Sequence, residues 1–355
     1  MTATTERICL LKNLSYTSKR NRGFRKMSMK AVLLHKSFMF ISAVFSLPSM
    51  AAGETNCFYI SLKPEIIAKT DALIKEYGKK KNISFMTHDA KSNSLNQVFQ
   101  IDSDFKFADS TIVITNDTTS AQNAITLSKK QKTPLVFSLI KPLVSFLSYP
   151  KAWFVGPNES QAGFMQADML HEYIQKKGSI DKNHNKILDI VVIRGEKSNP
   201  DEITRTTSLM SGLITHGHIL PTLSDTYGNW DYDEAYNIMT IQIKKQGIDN
   251  IEAVVANSDE MALGALKALQ ENGYNKGDSD TFIPVFGIGG NNDAIKAIDE
   301  GKISGTVIPD LDTLAKITIE LITEKNLTEQ KIRETYNLKV ENRNVLVEYS
   351  EKKNF

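Results

Sequence analysis

Short β-rich runs alternate with helical patterns along almost the whole chain after residue 57. The run Phe58-Tyr-Ile-Ser-Leu62 precedes apolar positions at helical spacing from Ile66 onward, and the same order recurs as far as a helix over 311–323. Such alternation is typical of parallel strands joined by crossover helices. The pattern predicts an α/β protein, and 355 residues leave room for two domains.

The alternation restarts after a short strand at 153–156, which predicts two doubly wound parallel-sheet lobes. We assign 53–155 plus about 308–328 to the N-terminal lobe, and 156–307 plus about 329–355 to the C-terminal lobe. Chain crossings near 153–158, near 307–310 and after 325 then form a hinge of several strands. In a cleft between two such lobes the carboxyl ends of both sheets face each other, where α/β proteins bind ligands.

The first 52 residues look like an export signal. An apolar stretch at 37–48 ends in Ser49-Met-Ala-Ala52, and it is far shorter than the roughly 20 residues of a membrane-spanning helix. These features are typical of a secretory signal peptide cleaved near Ala51 or Ala52. The sequence therefore predicts a secreted protein.

Charge and cysteine usage narrow the possible partners. The leader holds nine of the 43 Lys and Arg residues and one of the 41 Asp and Glu residues, so residues 53–355 carry a formal net charge of −6. An acidic mature protein argues against binding to nucleic acid or to anionic lipid. Cys9 belongs to the leader, and Cys57 is left without a partner for an intrachain disulfide.

No catalytic motif stands out. The sequence has no nucleophile elbow, no metalloprotease motif and no phosphate-binding loop, and Gly287-Ile-Gly-Gly290 lacks the full dinucleotide fingerprint. His216-Gly-His218 lies at a helix exit, where surface histidines are usual. A DNA-binding regulator would carry a headpiece where the export signal stands. We predict that the protein is not an enzyme.

From Trp153 to about Lys316 a series of motifs, in order, carries a family resemblance. They are Phe154-Val-Gly156, Asp181-Lys-Asn-His-Asn-Lys-Ile-Leu-Asp189, Gly195-Glu196, Asn199-Pro-Asp-Glu-Ile-Thr-Arg-Thr-Thr207, Asn229-Trp-Asp231, Ile251-Glu-Ala-Val-Val-Ala-Asn257, Asp259-Glu-Met-Ala-Leu-Gly-Ala265, Pro284-Val-Phe-Gly287 and Gly305-Thr306. This region resembles the periplasmic D-galactose/D-glucose-binding proteins, a calcium-containing branch of the type I periplasmic binding proteins. The resemblance implies a periplasmic monomer that captures a small ligand, most simply a monosaccharide. It also implies a membrane partner, which is either an ABC permease or a chemoreceptor. Binding to nucleic acid is not expected.

A polar loop before a predicted strand has the spacing of a calcium site. Its oxygen-bearing side chains alternate as in an EF-hand, with a main-chain carbonyl between them; the residues are Asp181, Asn183, Asn185, Ile187 (carbonyl) and Asp189. The resemblance implies that Glu252 completes the site and that one structural Ca²⁺ is bound. Lys186 stands where Gly normally permits the sharp turn, and Asn185 replaces a usual Asp. The alternative is an ordinary polar turn.

The resemblance also implies a ligand site in the C-terminal lobe. Asp201 and Arg205 would hold sugar hydroxyls, and Trp230 would stack on the apolar face of a pyranose ring. Asn199 and Ser258 stand in for a His and an Asn of the family and keep the ability to form hydrogen bonds. The alternatives are a helix N-cap with a local ion pair for the first two residues, and a core or surface position for Trp230.

Three positions depart from the family pattern in a way that removes polar groups. Gly289 aligns with an Asp, Pro309 with an Asn, and Leu139 with an Asn of the N-terminal lobe. Each polar ligand group left unmatched costs about 1–3 kcal/mol. High affinity for galactose or glucose is therefore not expected. The ligand is instead a different or less polar sugar, or another solute held mainly by the C-terminal lobe, or the protein has lost sugar binding and acts as a sensor that docks on a receptor.

Overall fold

The structure, a computed structural model, describes residues 54–178, 180–221, 226–277, 280–324 and 326–355. In these ranges the chain forms two sheets, of seven and of five strands. The predicted leader and signal peptide, 1–52, lie outside the described residues. Among the described residues no helix combines the length and the apolar character needed to cross a membrane.

Strands and helices alternate from the first described residue. The first part comprises β1 (Glu54–Tyr59), α1 (Glu65–Lys80), β2 (Ser84–Asp89), α2 (Ser94–Asp104), β3 (Ser110–Ile114), α3 (Thr118–Gln131), β4 (Leu135–Ser138) and β5 (Ala152–Pro157). The second part comprises α4 (Glu159–Lys177), β6 (Ile190–Ile193), α5 (Pro200–Thr215), α6 (Tyr232–Gln246), β7 (Ala253–Ala256), α7 (Asp259–Glu271), β8 (Val285–Ile288), α8 (Asn292–Asp299) and β9 (Gly305–Pro309). The tail comprises α9 (Leu311–Thr323), α10 (Glu329–Tyr336), β10 (Lys339–Glu341), β11 (Asn344–Val347) and β12 (Tyr349–Lys353).

Both sheets are mostly parallel, which confirms the predicted α/β fold of two lobes. The N-terminal lobe has the order β10-β11-β5-β4-β3-β1-β2, and the C-terminal lobe has the order β12-β9-β8-β7-β6. Only β10 with β11 and β12 with β9 pair antiparallel among the described strands. Strands β3, β4, β7 and β8 are buried along their whole length, because helices cover both faces of a parallel sheet.

The tail corrects the predicted boundary of the C-terminal lobe. The sequence pattern places 329–355 in that lobe, but α10, β10 and β11 belong to the N-terminal lobe and only β12 joins the five-stranded sheet. The physical reason is burial: Ile332, Val340, Val345 and Val347 pack into the same apolar core as Trp153. Short tail strands give little periodicity from which to predict their partner sheet.

Three crossings of the chain join the lobes. They fall after β5, after β9 and at Glu348 between β11 and β12. Backbone hydrogen bonds tie them together, from Asn158 N to Val347 O at 2.9 Å and from Asp310 N to Glu348 O at 3.0 Å. The hinge is thus a bonded set of three segments.

Side-chain caps fix where the helices begin, and they place polar residues at the carboxyl ends of the strands. Asp117 at the start of α3 accepts from Ser120 N, for example, which satisfies a backbone donor that the helix leaves unpaired. The other helices capped in this way begin after Asn93, Asn199, Asp231, Ser258, Asn291, Asp310 and Thr328. Several of these residues lie beside the cleft described next.

Candidate functional site

A buried group of polar side chains surrounds Arg205 at the carboxyl edge of the five-stranded sheet. The Nε of Arg205 donates to Glu159 Oε2 at 2.5 Å, Nη1 donates to the backbone oxygen of Asn257 at 2.7 Å, and Nη2 donates to the Tyr349 hydroxyl at 3.4 Å. These partners come from the start of α4, the loop after β7 and the start of β12. We call this group, completed by Asp201 one turn before Arg205 on α5, the arginine cluster.

The charges of the arginine cluster support one another out of water. The Arg205 and Glu159 side chains are each 12% exposed. Burial opposes the charge of Arg205, but Glu159, Tyr349 and Asp201 together raise the pKa of Arg205 above its ordinary value. Burial, and then Glu159, raise the pKa of Tyr349 well above its ordinary value. Arg205 is therefore a fixed cation, and the Tyr349 hydroxyl remains a donor, which it uses toward Glu159 Oε2 at 3.0 Å.

Asp201 is the member of the arginine cluster that reaches the cleft between the lobes. Burial, followed by the charge of Glu159, raises the pKa of Asp201 to about 7, although Arg205 and Lys141 act in the opposite direction. Near neutral pH this carboxyl group therefore interconverts easily between a hydrogen-bond acceptor and a donor. Such a group suits a ligand whose hydroxyls both donate and accept.

Trp230 covers the arginine cluster from one side. Its indole lies on Gly195, where a β-carbon would come within 2.2 Å of the ring, and the ring centre is 5.5 Å from the Arg205 guanidinium. The backbone of Trp230 has a left-handed φ of 63°, which is uncommon for a bulky residue. The indole also packs against the apolar core of the C-terminal lobe, and its predicted stacking on a sugar ring stays a prediction.

Asn199 and Ser258, also predicted to contact the ligand, have structural tasks. The Asn199 Oδ1 accepts from the backbone nitrogens of Asp201 and Glu202 at 2.9 and 3.4 Å, which caps α5. The Ser258 Oγ accepts from Met261 N at 3.3 Å, which caps α7. Asn199 also lines the cleft cavity, whereas Arg205, Trp230 and Ser258 are not among the residues that line it.

The cavity in the cleft has a volume of about 380 Å³, within the roughly 300–1,000 Å³ usual for small-molecule sites. Its N-terminal wall consists of Ser94, Asn116, Asp117, Ile140, Lys141 and Leu143, and its C-terminal wall consists of Glu196, Lys197, Ser198, Asn199, Pro200 and Asp201. All of these residues follow a strand or begin a helix. The cavity therefore lies at the carboxyl edges of both sheets, where sequence analysis predicted the ligand site.

The two lobes also touch beside the cleft. The Lys69 Nζ on α1 donates to Gly290 O at 3.1 Å and to Asn292 Oδ1 at 3.3 Å, and Asn292 N donates to Glu65 at 3.4 Å. These bonds run from the start of α1 to the start of α8 across the two sheets. They join the two lobes directly.

A second cavity, of about 570 Å³, lies at the opposite edge of the seven-stranded sheet. Its lining includes Ser110, Pro134 and Trp153, which stand at or before the amino ends of their strands. Although it is larger, its lining comes from the N-terminal lobe alone and includes no member of the arginine cluster. Ligands of open α/β sheets bind at the carboxyl ends of the strands, so we place the candidate site in the cleft.

The three departures from the family pattern have visible structural consequences. At Gly289, whose φ is 140°, a β-carbon would stand 3.4 Å from Asp259 Oδ2. Asp259 itself is held by Thr306 Oγ1 at 2.6 Å and Asn291 N at 2.8 Å, and burial raises its pKa to about 6. Leu139 has a left-handed φ of 66° but is buried in the apolar core, and Pro309 ends β9.

The polar loop predicted to bind calcium is tied together by hydrogen bonds. Glu252 joins its two ends, since Oε1 accepts from Lys182 N at 3.0 Å and Oε2 from Asp189 N at 2.9 Å. The Asp181 carboxylate accepts from Asn185 N and Lys186 N at 3.2 and 3.0 Å. Lys186 has the expected left-handed backbone, with a φ of 61°. The loop thus brings the predicted residues together.

The loop carries several oxygen atoms that could bind a metal ion, but these oxygens do not point toward a common centre. The Nδ2 atoms of Asn183 and Asn185 donate to Asp189 Oδ2 at 2.9 and 2.8 Å. The Oδ1 atoms of the same two amides accept from the backbone nitrogens of Asn185 and Ile187 at 3.0 and 2.7 Å. Among the described residues no three His, Cys, Asp or Glu side chains converge as metal ligands. The loop thus offers oxygens of the kind that a hard cation takes, but its side chains are here bonded to one another and to backbone nitrogens.

The residues that complete the arginine cluster were not predictable from sequence patterns. Glu159 looked like an ordinary acidic residue in the first turn of a helix, and Tyr349 lies in a tail strand far away in sequence. Lys141, on the opposite wall of the cavity, belongs to a region where the resemblance was confined to the order of strands and helices. No residue near Glu159 in the sequence indicates its role, because its partner Arg205 is 46 residues away.

Two lobes linked by three crossings, with a polar cavity between the carboxyl edges of their sheets, define the architecture of a bilobal solute-binding protein. The chain belongs to the family described as periplasmic binding protein domain, whose model matches residues 65–327. This family is a non-enzymatic, solute-binding class, in agreement with the prediction that the chain is not an enzyme. The resemblance noted in the sequence is thereby confirmed at the level of this family.

Curated relatives cover part of the chain. A D-galactose/methyl-galactoside binding periplasmic protein of Haemophilus influenzae is 27% identical over 216 residues, 61% of this chain and 62% of the relative. A xylitol-binding protein of Mycolicibacterium smegmatis is 30% identical over 232 residues, 65% of this chain and 60% of the relative. The alignments thus span less than two thirds of the length of these two relatives.

Solved structures share the fold at low sequence identity. An ABC transporter solute binding protein from Bacillus halodurans, with bound myo-inositol, matches with a TM-score of 0.68 and 21% identity, covering 86% of this chain and 96% of that chain. A periplasmic solute binding protein from Actinobacillus succinogenes, with bound D-allose, matches with a TM-score of 0.66 and 19% identity, covering 84% and 96%. These similarities establish the type I periplasmic binding protein fold.

Proposed function

We propose that this protein captures a small, neutral, polyhydroxylated solute in the cleft between its lobes and delivers it to a membrane ABC permease from the periplasm. The names of its relatives support a sugar or a sugar alcohol, since the two quoted above are named for galactosides and for xylitol. The single observation that carries the proposal is the cavity of about 380 Å³ whose opposite walls present Asp201 and Lys141.

The chemistry of the cavity suits a ligand with several hydroxyl groups. Asp201, with its raised pKa, accepts or donates, and the Asp117 carboxylate and Lys141 ammonium on the facing wall extend the polar lining. Ile140 and Leu143 add apolar surface, which matches the C–H faces of a carbohydrate. Acidic and basic groups both line the cavity, which supports a neutral ligand over a charged one.

We further propose that the ligand is not galactose or glucose. Gly289, Pro309 and Leu139 offer no carboxylate or amide to a sugar hydroxyl, and Leu139 is buried in the core. The C-terminal wall, backed by the arginine cluster, then supplies most of the polar contacts. A pentose, a sugar alcohol or a cyclitol, with fewer or differently placed hydroxyls, fits this distribution better.

A thermal-shift screen tests the proposal. The tag-free protein is melted with hexoses, pentoses, sugar alcohols, inositols and nucleosides, each at millimolar concentration. A ligand at 100 times its Kd stabilises by about 2.7 kcal/mol, a shift of several degrees. Asp201→Ala should abolish the shift, whereas Asp233→Ala on the exposed surface of α6 should preserve it. No shift with any of these compounds would contradict sugar or polyol capture.

Transport and sensing are separated by a second measurement. A permease partner predicts that the liganded protein stimulates ATP hydrolysis by an ABC transporter reconstituted in vesicles. A chemoreceptor partner, or a sensor role, predicts binding to a receptor ectodomain without such stimulation. Retained ligand binding with no effect on any transporter would favour the sensor.

We also propose that the loop 181–189 with Glu252 binds one structural Ca²⁺. The support is the number of oxygen-bearing groups in one short loop, from Asp181, Asn183, Asn185, Asp189 and the Ile187 carbonyl, and the burial of Glu252, which is 1% exposed. Burial raises the pKa of Glu252, and the neighbouring Asp189 and Asp181 raise it further. A divalent cation would relieve this repulsion among like charges.

Chelation tests the calcium proposal. Adding EDTA should lower the melting temperature by several degrees, and Ca²⁺ should restore it. Asp181→Asn should weaken the response to Ca²⁺ at least tenfold, while Asp249→Asn, outside the loop, should leave it intact. An unchanged melting temperature after chelation would refute calcium binding without affecting the proposed ligand site.

A further inference from the structure

A second cluster of titratable side chains lies toward the other end of α4, away from the cleft. His171 on α4 has its Nδ1 3.1 Å from the Nε2 of His218, which follows α5. The His171 and His216 rings stack in parallel with their centres 4.1 Å apart, and His216 Nε2 is 2.7 Å from Asp168 Oδ1. We call these four residues the histidine cluster.

The two ring nitrogens that face each other share one hydrogen. At 3.1 Å one of them donates and the other presents its lone pair, which requires at least one neutral ring. Burial, and then the neighbouring imidazoles, lower the pKa of both His171 and His218. Neutral imidazole is the form of histidine that binds metal ions.

We propose that His171 and His218 bind a divalent late-transition ion, for which Zn²⁺ is the prototype, through Nδ1 and Nε2 respectively. Zn–N bonds of about 2.0–2.1 Å in tetrahedral geometry place two ligand nitrogens roughly 3.3 Å apart, close to the separation found here. The hydrogen now shared moves to the other nitrogen of its own ring when the ion enters. Imidazole ligands favour zinc, copper and nickel over calcium or magnesium.

The remaining members of the histidine cluster hold the pair in place. Stacking on His216 restricts the plane of the His171 ring, and the contact with Asp168 holds the His216 ring in turn. Three donors do not meet at one point among the described residues, so the proposed ion has two protein ligands and completes its coordination with water.

The proposed ion would tie α4 to the segment after α5. His171 lies 12 residues beyond Glu159 on α4, which is about 18 Å along the helix, so the ion does not reach the cleft. It would stabilise the folded C-terminal lobe, because the unfolded chain does not hold these two nitrogens together. Neither the proposed solute nor the calcium loop takes part.

Calorimetric titration of tag-free, full-length protein with ZnCl₂ tests the proposal. One Zn²⁺ should bind per chain and raise the melting temperature, whereas MgCl₂ should not. His171→Ala and His218→Ala should each weaken Zn²⁺ binding at least tenfold. His88→Gln should not, although His88 also lies beside a carboxylate, 3.5 Å from Asp104, in the N-terminal lobe.

A spectroscopic readout guards against misfolding of the alanine variants. The Cu²⁺ complex of the wild type should show two coordinated nitrogens by electron paramagnetic resonance, and His218→Gln should show one. Absence of stoichiometric Zn²⁺ binding by the wild type, or an unchanged Cu²⁺ spectrum in His218→Gln, would overturn the proposal.

Discussion

The two walls of the cleft are built differently. On the C-terminal wall, Asp201 is backed by Arg205, which is bonded in turn to Glu159, Asn257 and Tyr349. On the N-terminal wall, Lys141 is exposed and makes no hydrogen bond or ion pair to another described residue. The C-terminal wall is therefore braced around Asp201 before a ligand arrives, whereas the Lys141 side chain must become ordered when it meets the ligand.

This difference separates stability from recognition. Groups that are bonded to one another inside the protein lower the entropy lost on binding but make the fold depend on them. An exposed group such as Lys141 costs the fold little and remains available to the ligand. Substitutions on the C-terminal wall should therefore change folding and binding together, while those on the N-terminal wall should change binding alone.

Arg205→Met should have the largest effect, because it leaves the Glu159 carboxylate buried without its partner. Breaking one partner of a buried ion pair costs about 3–5 kcal/mol, which urea unfolding measures. Lys80→Met, which removes the exposed pair with Glu76 on α1, should change the free energy of unfolding far less, because solvent screens an exposed ion pair. Equal losses of unfolding free energy in the two variants would mean that the pair of Arg205 with Glu159 stabilises the fold no more than an exposed ion pair does.

Asp201→Asn should change how stability depends on pH. The pKa of Asp201 is about 7 in the folded protein against an ordinary 3.8, so between these values the folded protein binds more protons than the unfolded chain. Stability should then fall as pH rises from about 4 to about 7, and the Asp201→Asn variant should lack about 4 kcal/mol of that fall. Urea midpoints at several pH values measure it.

The exposed Asp233→Asn provides the control for this pH dependence, and it should follow the wild type throughout. Asp259, whose pKa is about 6, contributes a change of the same sign that remains in both variants. A stability profile of Asp201→Asn that coincides with the wild type would mean that Asp201 is as well solvated as an ordinary surface carboxylate.

Lys141→Met sharpens the comparison from the other wall. It should change the unfolding free energy by less than about 0.5 kcal/mol, as surface substitutions usually do, yet weaken ligand binding about tenfold through a lost charged hydrogen bond. Lys130→Met, on the exposed side of α3, should change neither quantity. A loss of stability comparable with that of Arg205→Met would show that the N-terminal wall is also prebuilt.

Lys69→Met should have the smallest effect. Removing its bonds to Gly290 and Asn292 should favour the open arrangement of the lobes by at most about 1 kcal/mol, seen as a larger radius of gyration by small-angle X-ray scattering. Lys75→Met, which breaks only the pair with Asp71 within α1, should leave the radius unchanged. No difference between these variants would mean that the contact does not hold the lobes.

Regular elements were predictable because their signals are local. Buried runs such as 253–256, followed by a capping residue and an amphipathic helix, determine parallel strands and crossover helices. The tail was not predictable in the same way: Lys339–Glu341 and Asn344–Val347 are short, and β11 pairs with the distant strand β5, Asn344 opposite Phe154. Nothing in so short a segment specifies which sheet it joins.

The part of the candidate site that lies within a single sequence motif was predictable. Asp201 and Arg205 lie one helical turn apart, so their proximity follows from the sequence. Glu159, Asn257 and Tyr349 approach Arg205 from three other elements, and no periodicity relates them. The calcium ligands and the identity of the solute stay predictions.

Isothermal titration calorimetry of the best compound from the screen, with the wild type and Asp201→Ala side by side, tests the central claim most directly. The wild type should bind one pentose, sugar alcohol or cyclitol per chain, and the variant should bind it at least 100-fold more weakly while remaining folded. Equal affinity in the two proteins would contradict a ligand held in this cleft.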